Sequence, residues 1–122
     1  MALVEVGNVY VIRTTLTKPR PKDKIVVCIC SESNLFVWFN SLPKSHGEGQ
    51  LACTAKGHPQ ALNKDCYLDL SRVTTFLPHE LEAARDRGAL SAECRGRICA
   101  AVTGGIRTLA PRHAALITKA VC

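Results

Sequence analysis

Three stretches of the chain carry side chains that could do chemistry. The first is Thr54-Ala-Lys-Gly-His-Pro59, which sets a hydroxyl, an ammonium and an imidazole within five residues. Such a set suits a phosphodiester: one group orients an attacking 2′-hydroxyl while another protonates the leaving oxygen. Histidine is the residue type that exchanges protons near neutral pH unaided, which makes His58 the acid/base candidate. The opposing interpretation is a Gly-Pro turn with incidental polar residues. Lys-Gly-His-Pro lacks the glycine spacing of a Walker phosphate loop.

The second stretch is basic. Arg13, Lys18, Arg20, Lys22 and Lys24 fall close together, with Asp23 the only acid among them. A cluster of this kind neutralises RNA or DNA phosphates, with an arginine as bidentate donor. Read plainly, it is a solvated loop that keeps the protein in solution. Pro19 and Pro21 fix φ and push the residues before them toward extended backbone, so this arm is not helical.

The third is Cys53 with His46 or His58 as a nucleophile and base, weighed against a small buried thiol. Neither a Cys-Gly-x-Cys nor a nucleophile-elbow pattern surrounds it. Arg95, Arg97, Arg107 and Arg112 mark a second, diffuse basic face. His79 and His113 fall in first turns of helices, where the dipole disfavours positive charge, and are assigned no chemistry.

These residues need a scaffold, and 122 residues make one domain, 1–122, able to bury roughly two thirds of its unfolded surface. At 47% apolar and 21% charged the chain is globular in composition. A net charge of +6 points to nucleic acid or an acidic protein as partner. No apolar run approaches the ~18 residues of a membrane span, and no basic segment followed by an apolar one opens the chain. The expectation is a cytoplasmic protein without membrane contact. The seven cysteines include no Cys-x-x-Cys and are expected as reduced thiols in small apolar sites. Cys28 and Cys30, two apart in a strand, are expected to share a face. A Cys28/Cys30/Cys53/Cys66 metal cluster is the alternative, and no metal or cofactor is expected.

Up to Phe76 the chain is β-branched and aromatic, while beyond Pro78 it is rich in Ala, Leu, Glu and Arg. Strands first and helices after is the signature of an α+β domain or a small barrel with appended helices. Strands are predicted over 8–13, 24–31, 35–39, 51–54, 67–70 and 73–77, the last two around a bend at Ser71-Arg72. The second and third are continuously apolar, so they form a central hairpin covered on both faces. Helices are predicted from Pro78 to a stop at Gly88, from a Ser91 cap to Gly104-Gly105, and from Pro111 to the end.

The pattern resembles the MazF/PemK family of small toxin ribonucleases, with an SH3-like, CcdB-like barrel. The resemblance lies in Gly7-Asn-Val-Tyr-Val-Ile, the basic loop into Lys24-Ile-Val-Val-Cys, Leu51-Ala-Cys-Thr-Ala-Lys-Gly-His-Pro59 and Leu62-Asn-Lys-Asp-Cys-Tyr-Leu-Asp-Leu-Ser-Arg-Val-Thr-Thr-Phe76. It covers roughly residues 6 to 80, with Lys22-Asp-Lys24 where the family carries Arg-Arg-Pro. It implies a small SH3-like antiparallel β-barrel over 6–77 and about three C-terminal helices over 78–122. It also implies metal-independent cleavage of single-stranded RNA, an acidic antitoxin-like partner and a homodimer. Arg20 and Lys24 would stabilise phosphate charge, Thr54 would position the scissile group and His58 would transfer the proton. Arg13, Lys18, Lys22 and Lys56 would bind nucleic acid. The rival is a non-catalytic nucleic-acid- or protein-binding module of a mobile element or phage on the same fold. A small assembly subunit is a third class.

Overall fold

Val26, Val27, Cys28, Ile29, Phe36 and Val37 are wholly inaccessible to solvent, and the molecule is built outward from them. The computed structural model describes residues 4–15 and 22–122. Six strands form one antiparallel sheet: β1 (Asn8–Thr14), β2 (Lys22–Cys30), β3 (Leu35–Asn40), β4 (Gln50–Cys53), β5 (Cys66–Thr74) and β6 (Arg85–Ala89). Their order is β4-β5-β3-β2-β1-β6. The two end strands do not pair with each other, so the sheet is open and not closed into a barrel. Helices α1 (Pro78–Glu82), α2 (Ala92–Thr103) and α3 (Pro111–Val121) complete an α+β fold.

Alternation along β2 and β3 feeds two cores. Val27, Ile29, Leu35, Val37 and Phe39 join Leu68 and Leu70 under Ile98, Val102, Ile117 and Val121 of α2 and α3. On the outer face Tyr10, Ile12, Val26, Cys28, Phe36 and Phe76 form a second cluster, against which Leu81 and Ala84 pack. The ring of Phe36 meets Phe76 edge-on at 5.2 Å between centroids. The expected central hairpin is present, covered on both sides along its apolar part.

Three expectations change. Arg85–Ala89 is not the end of a helix: α1 stops at Glu82, and the chain turns back as a strand on β1, pairing Val11 with Arg85 and Asn8 with Ala89. Gly88, read as a helix stop, instead takes φ +94 within that strand, a value L side chains avoid. Cys28 and Cys30 do not share a face, because the β2·β3 register slips between them; Cys28 enters the outer cluster and Cys30 the helix-side core. Finally, not all cysteines are free thiols. Packing of α2 against α3 brings the Cα atoms of Cys99 and Cys122 to 5.8 Å, and a disulfide joins them.

Local chemistry explains the rest. Ser91 Oγ accepts the Cys94 N–H at 3.1 Å and caps α2 as expected. Buried Glu80 accepts the N–H of Leu77 at 2.9 Å and that of Thr15 at 3.2 Å, tying the start of α1 to the end of β1. Burial alone would raise its pKa, but these hydrogen bonds outweigh burial and hold it below the usual carboxylate value. The two strands expected on either side of Ser71-Arg72 are one strand, β5, which runs through that point and ends at Thr74. Between Phe36 and Trp38 on β3, the partner positions on β5 run from Thr74 to Asp69, a register irregularity that breaks the strand's regular alternation.

Candidate functional site

Strand alternation splits the basic stretch between two faces. Arg13 and Asp23 lie opposite one another, and Asp23 pairs with Arg13 at 3.4 Å and with Arg85 at 3.3 Å. Lys24 instead shares the outer face with Val26 and Cys28, and Lys22 follows it by the same alternation. Lys18 and Arg20 lie outside the described residues. The Lys24 ammonium stands 5.0 Å from the centre of the Trp38 ring and donates to Asn40 Oδ1 at 3.2 Å. Burial first, and then the neighbouring charge of Lys22, lower its pKa. A half-buried cation over an indole is held in place more firmly than a free surface lysine.

Beyond Trp38 lies a pocket of about 290 Å³ lined by Trp38, Asn40, Lys44, Asp69, Arg72 and Thr74. Its floor is polar and fully bonded. Asp69 is 3% exposed, and its carboxylate accepts from Gln50 at 2.8 Å, from Lys44 at 2.9 Å, and from both the backbone N–H and hydroxyl of Ser71. Burial would raise the Asp69 pKa, yet the bonds from Ser71, Lys44 and Gln50 together carry it below its ordinary value. Arg72 is exposed and makes no hydrogen bond or ion pair among the described residues. The sequence drew attention to Lys24 but not to Trp38, Asn40, Lys44 or Arg72. The available signal was a lone tryptophan in the central hairpin, opposite a polar Asp-Leu-Ser-Arg run.

The Thr54–His58 turn is a separate feature. The Thr54 hydroxyl accepts the Gly57 N–H at 3.1 Å, and the Thr54 side chain is otherwise open to solvent. His58 is 6% exposed, with both ring nitrogens engaged: Nδ1 lies 3.2 Å from the Thr54 carbonyl, and Nε2 accepts the Ser91 N–H at 3.2 Å. That pattern requires the proton on Nδ1 and makes the ring a strut between the turn and the start of α2. A proton relay through it would have to break one of these bonds. Lys56 is exposed on the same turn. The two features line different clefts: Lys24 borders one with Asn63, Lys64 and Cys66, whereas His58 borders one with Gly57, Gln60 and Arg87.

Burial keeps the Cys53 and Cys28 thiols protonated. Cys53 is 3% exposed, and burial, followed by the neighbouring Cys94, pushes its pKa up to about 12. At neutral pH its thiolate would be about one part in 10⁵. Burial takes Cys28 up to about 11. Among the described residues no three His, Cys, Asp or Glu side chains are grouped to hold a metal ion. Among them, too, no helix is long and apolar enough to cross a membrane. No family model matches the chain, and no curated protein matches it.

Proposed function

We propose that this protein binds single-stranded RNA on the polar end of the outer sheet face. The observation that carries the proposal is the Lys24 ammonium 5.0 Å over Trp38, beside a pocket whose rim holds Lys44 and Arg72, the latter without a hydrogen bond or ion pair among the described residues. Cations that track phosphates beside an aromatic ring that stacks a base are the two parts of single-strand recognition. The net charge of +6 supplies the long-range attraction. Fluorescence anisotropy of a labelled single-stranded RNA tests it. Lys24→Ala/Arg72→Ala should weaken binding at least about tenfold and flatten its salt dependence. Unchanged affinity in that variant would remove this face from the function.

A second reading, cleavage of the bound strand, is favoured by the exposed Thr54 hydroxyl fixed by Gly57. In this reading the chain is a diverged relative of the MazF/PemK ribonucleases and their SH3-like barrel, with Arg20 stabilising charge and Thr54 positioning the scissile group. His58 then supports the Thr54 turn instead of carrying protons. An acidic antitoxin-like protein and a second copy of the chain are its partners, in the cytoplasm. Incubation of long single-stranded RNA with the protein in EDTA separates the two readings. Cuts at a short recurring sequence, lost in Arg20→Ala/Thr54→Ala, support the ribonuclease. Intact RNA at micromolar protein, with binding retained, leaves a non-catalytic module.

A further inference from the structure

We propose that the pocket beside Trp38 is a subsite for one nucleotide, its base stacked on the indole and its phosphate held by Arg72 and Lys44. The proposal rests on the RNA-binding reading above and narrows it to a single site. Sheet topology sets the neighbours of the indole. Lys24 reaches the ring from β2, on one side of β3, while Asp69, Arg72 and Thr74 come from β5, on the other. The ring therefore has a cation on its β2 flank and open volume toward β5. At about 290 Å³ that volume matches the small end of ligand sites, roughly 300–1,000 Å³.

The charges around this volume are unequal. Lys44 spends one donor on Asp69 and keeps two. Among the described residues nothing engages the Arg72 guanidinium, the group best shaped to grip a phosphate in two places. The Asp69 carboxylate on the wall is offset by Lys44 but still disfavours a bare anion. A phosphate alone therefore gains little here, and binding needs the stacked base as well. Asn40 and Thr74 add polar atoms at the edge, where a base presents its own. The Trp38 Nε1–H is buried without an acceptor among the described residues, an uncommon state for a buried donor. The irregular β5 register is what gathers Asp69, Arg72 and Thr74 onto one pocket, since on a regular strand Arg72 would face away from Asp69.

Trp38 is the only tryptophan, so its emission reports on this pocket alone. The full chain is titrated with uridine 5′-monophosphate, adenosine 5′-monophosphate, adenosine and inorganic phosphate. Binding of a labelled single-stranded RNA is followed in parallel by anisotropy. Saturable quenching by the two nucleotides is expected, with adenosine and phosphate each at least about tenfold weaker. Arg72→Ala should weaken the nucleotides about tenfold, and Arg112→Ala on α3 should leave them unchanged. RNA binding without any nucleotide quenching overturns the subsite and leaves the RNA-binding reading standing. Quenching that is identical in Arg72→Ala overturns it too. Absence of RNA binding in the anisotropy arm overturns the parent reading.

Discussion

At one end of the outer sheet face, Tyr10, Ile12, Val26, Cys28, Phe36 and Phe76 are sealed beneath Leu81 and Ala84. At the other end, on the same β2 and β3 strands, Lys24 lies over Trp38 and donates to Asn40, and Trp38 and Asn40 border an open pocket with Lys44, Asp69 and Arg72. Side-chain alternation is identical at both ends, so it does not distinguish them. What differs is cover. α1 is one short helix of five residues and reaches only the apolar end. Where cover stops, the side chains change from β-branched and aromatic to charged, and the buried carboxylate there, Asp69, is matched by Lys44, Gln50 and Ser71. A face that can be closed was left open at its basic end.

The comparison breaks first at its sealed half. Phe36→Ala should cost about 4 kcal/mol in urea unfolding, because the ring is wholly buried between Tyr10 and Phe76. A loss under about 1 kcal/mol would mean that this end is not a packed core. At the open end, Asp69→Ala should cost about 3 kcal/mol by stranding the Ser71 N–H and hydroxyl and the Gln50 amide. His58→Ala should cost about 2 kcal/mol, since it leaves the Ser91 N–H without its acceptor, and RNA affinity should stay within twofold. A large loss of RNA binding in a folded His58→Ala protein would return that ring to the functional site. Arg72→Ala should shift stability by no more than about 0.5 kcal/mol while reducing RNA affinity, the converse of Phe36→Ala.

Acid should act on both ends in the same sense. Asp69 and Glu80 titrate below their ordinary values of 3.8 and 4.5 when folded. The folded state therefore binds fewer protons there than the unfolded state. Their stabilisation is complete above those ordinary values and is lost as pH falls through the lowered, folded ones. Urea midpoints should be insensitive to these groups between pH 5.5 and 7, about one unit above either value, and fall below about pH 4.5. In Asp69→Asn the fall should be shallower. An equal fall in the variant would show that Asp69 is not held ionised by its donors.

Much of the scaffold was legible because it is written in local chemistry. The continuous apolar runs of β2 and β3 needed cover on two faces, and Ser91 announced the start of α2. Arg85–Ala89 was not legible: it contains no β-branched residue, and its strand state comes from the free edge of β1. The pairing of Cys99 with Cys122 was hidden as well, since it depends on how two helices pack across 23 residues of sequence. For the site, charge density led to Lys24, while charge alone could not separate it from Arg13, which alternation turns to the other face beside Asp23. The Trp38 pocket escaped because its walls converge only through the β5 irregularity.

The central claim is that the open end of the outer face is the RNA surface, and chemical-shift mapping of ¹⁵N-labelled protein with a single-stranded RNA tests it most directly. The lone indole N–H of Trp38 and the amides of Lys24, Asn40, Lys44, Arg72 and Thr74 should move together and saturate at one concentration. Shifts confined to α2, α3 or the Thr54–His58 turn, with the Trp38 indole unmoved, would contradict the account.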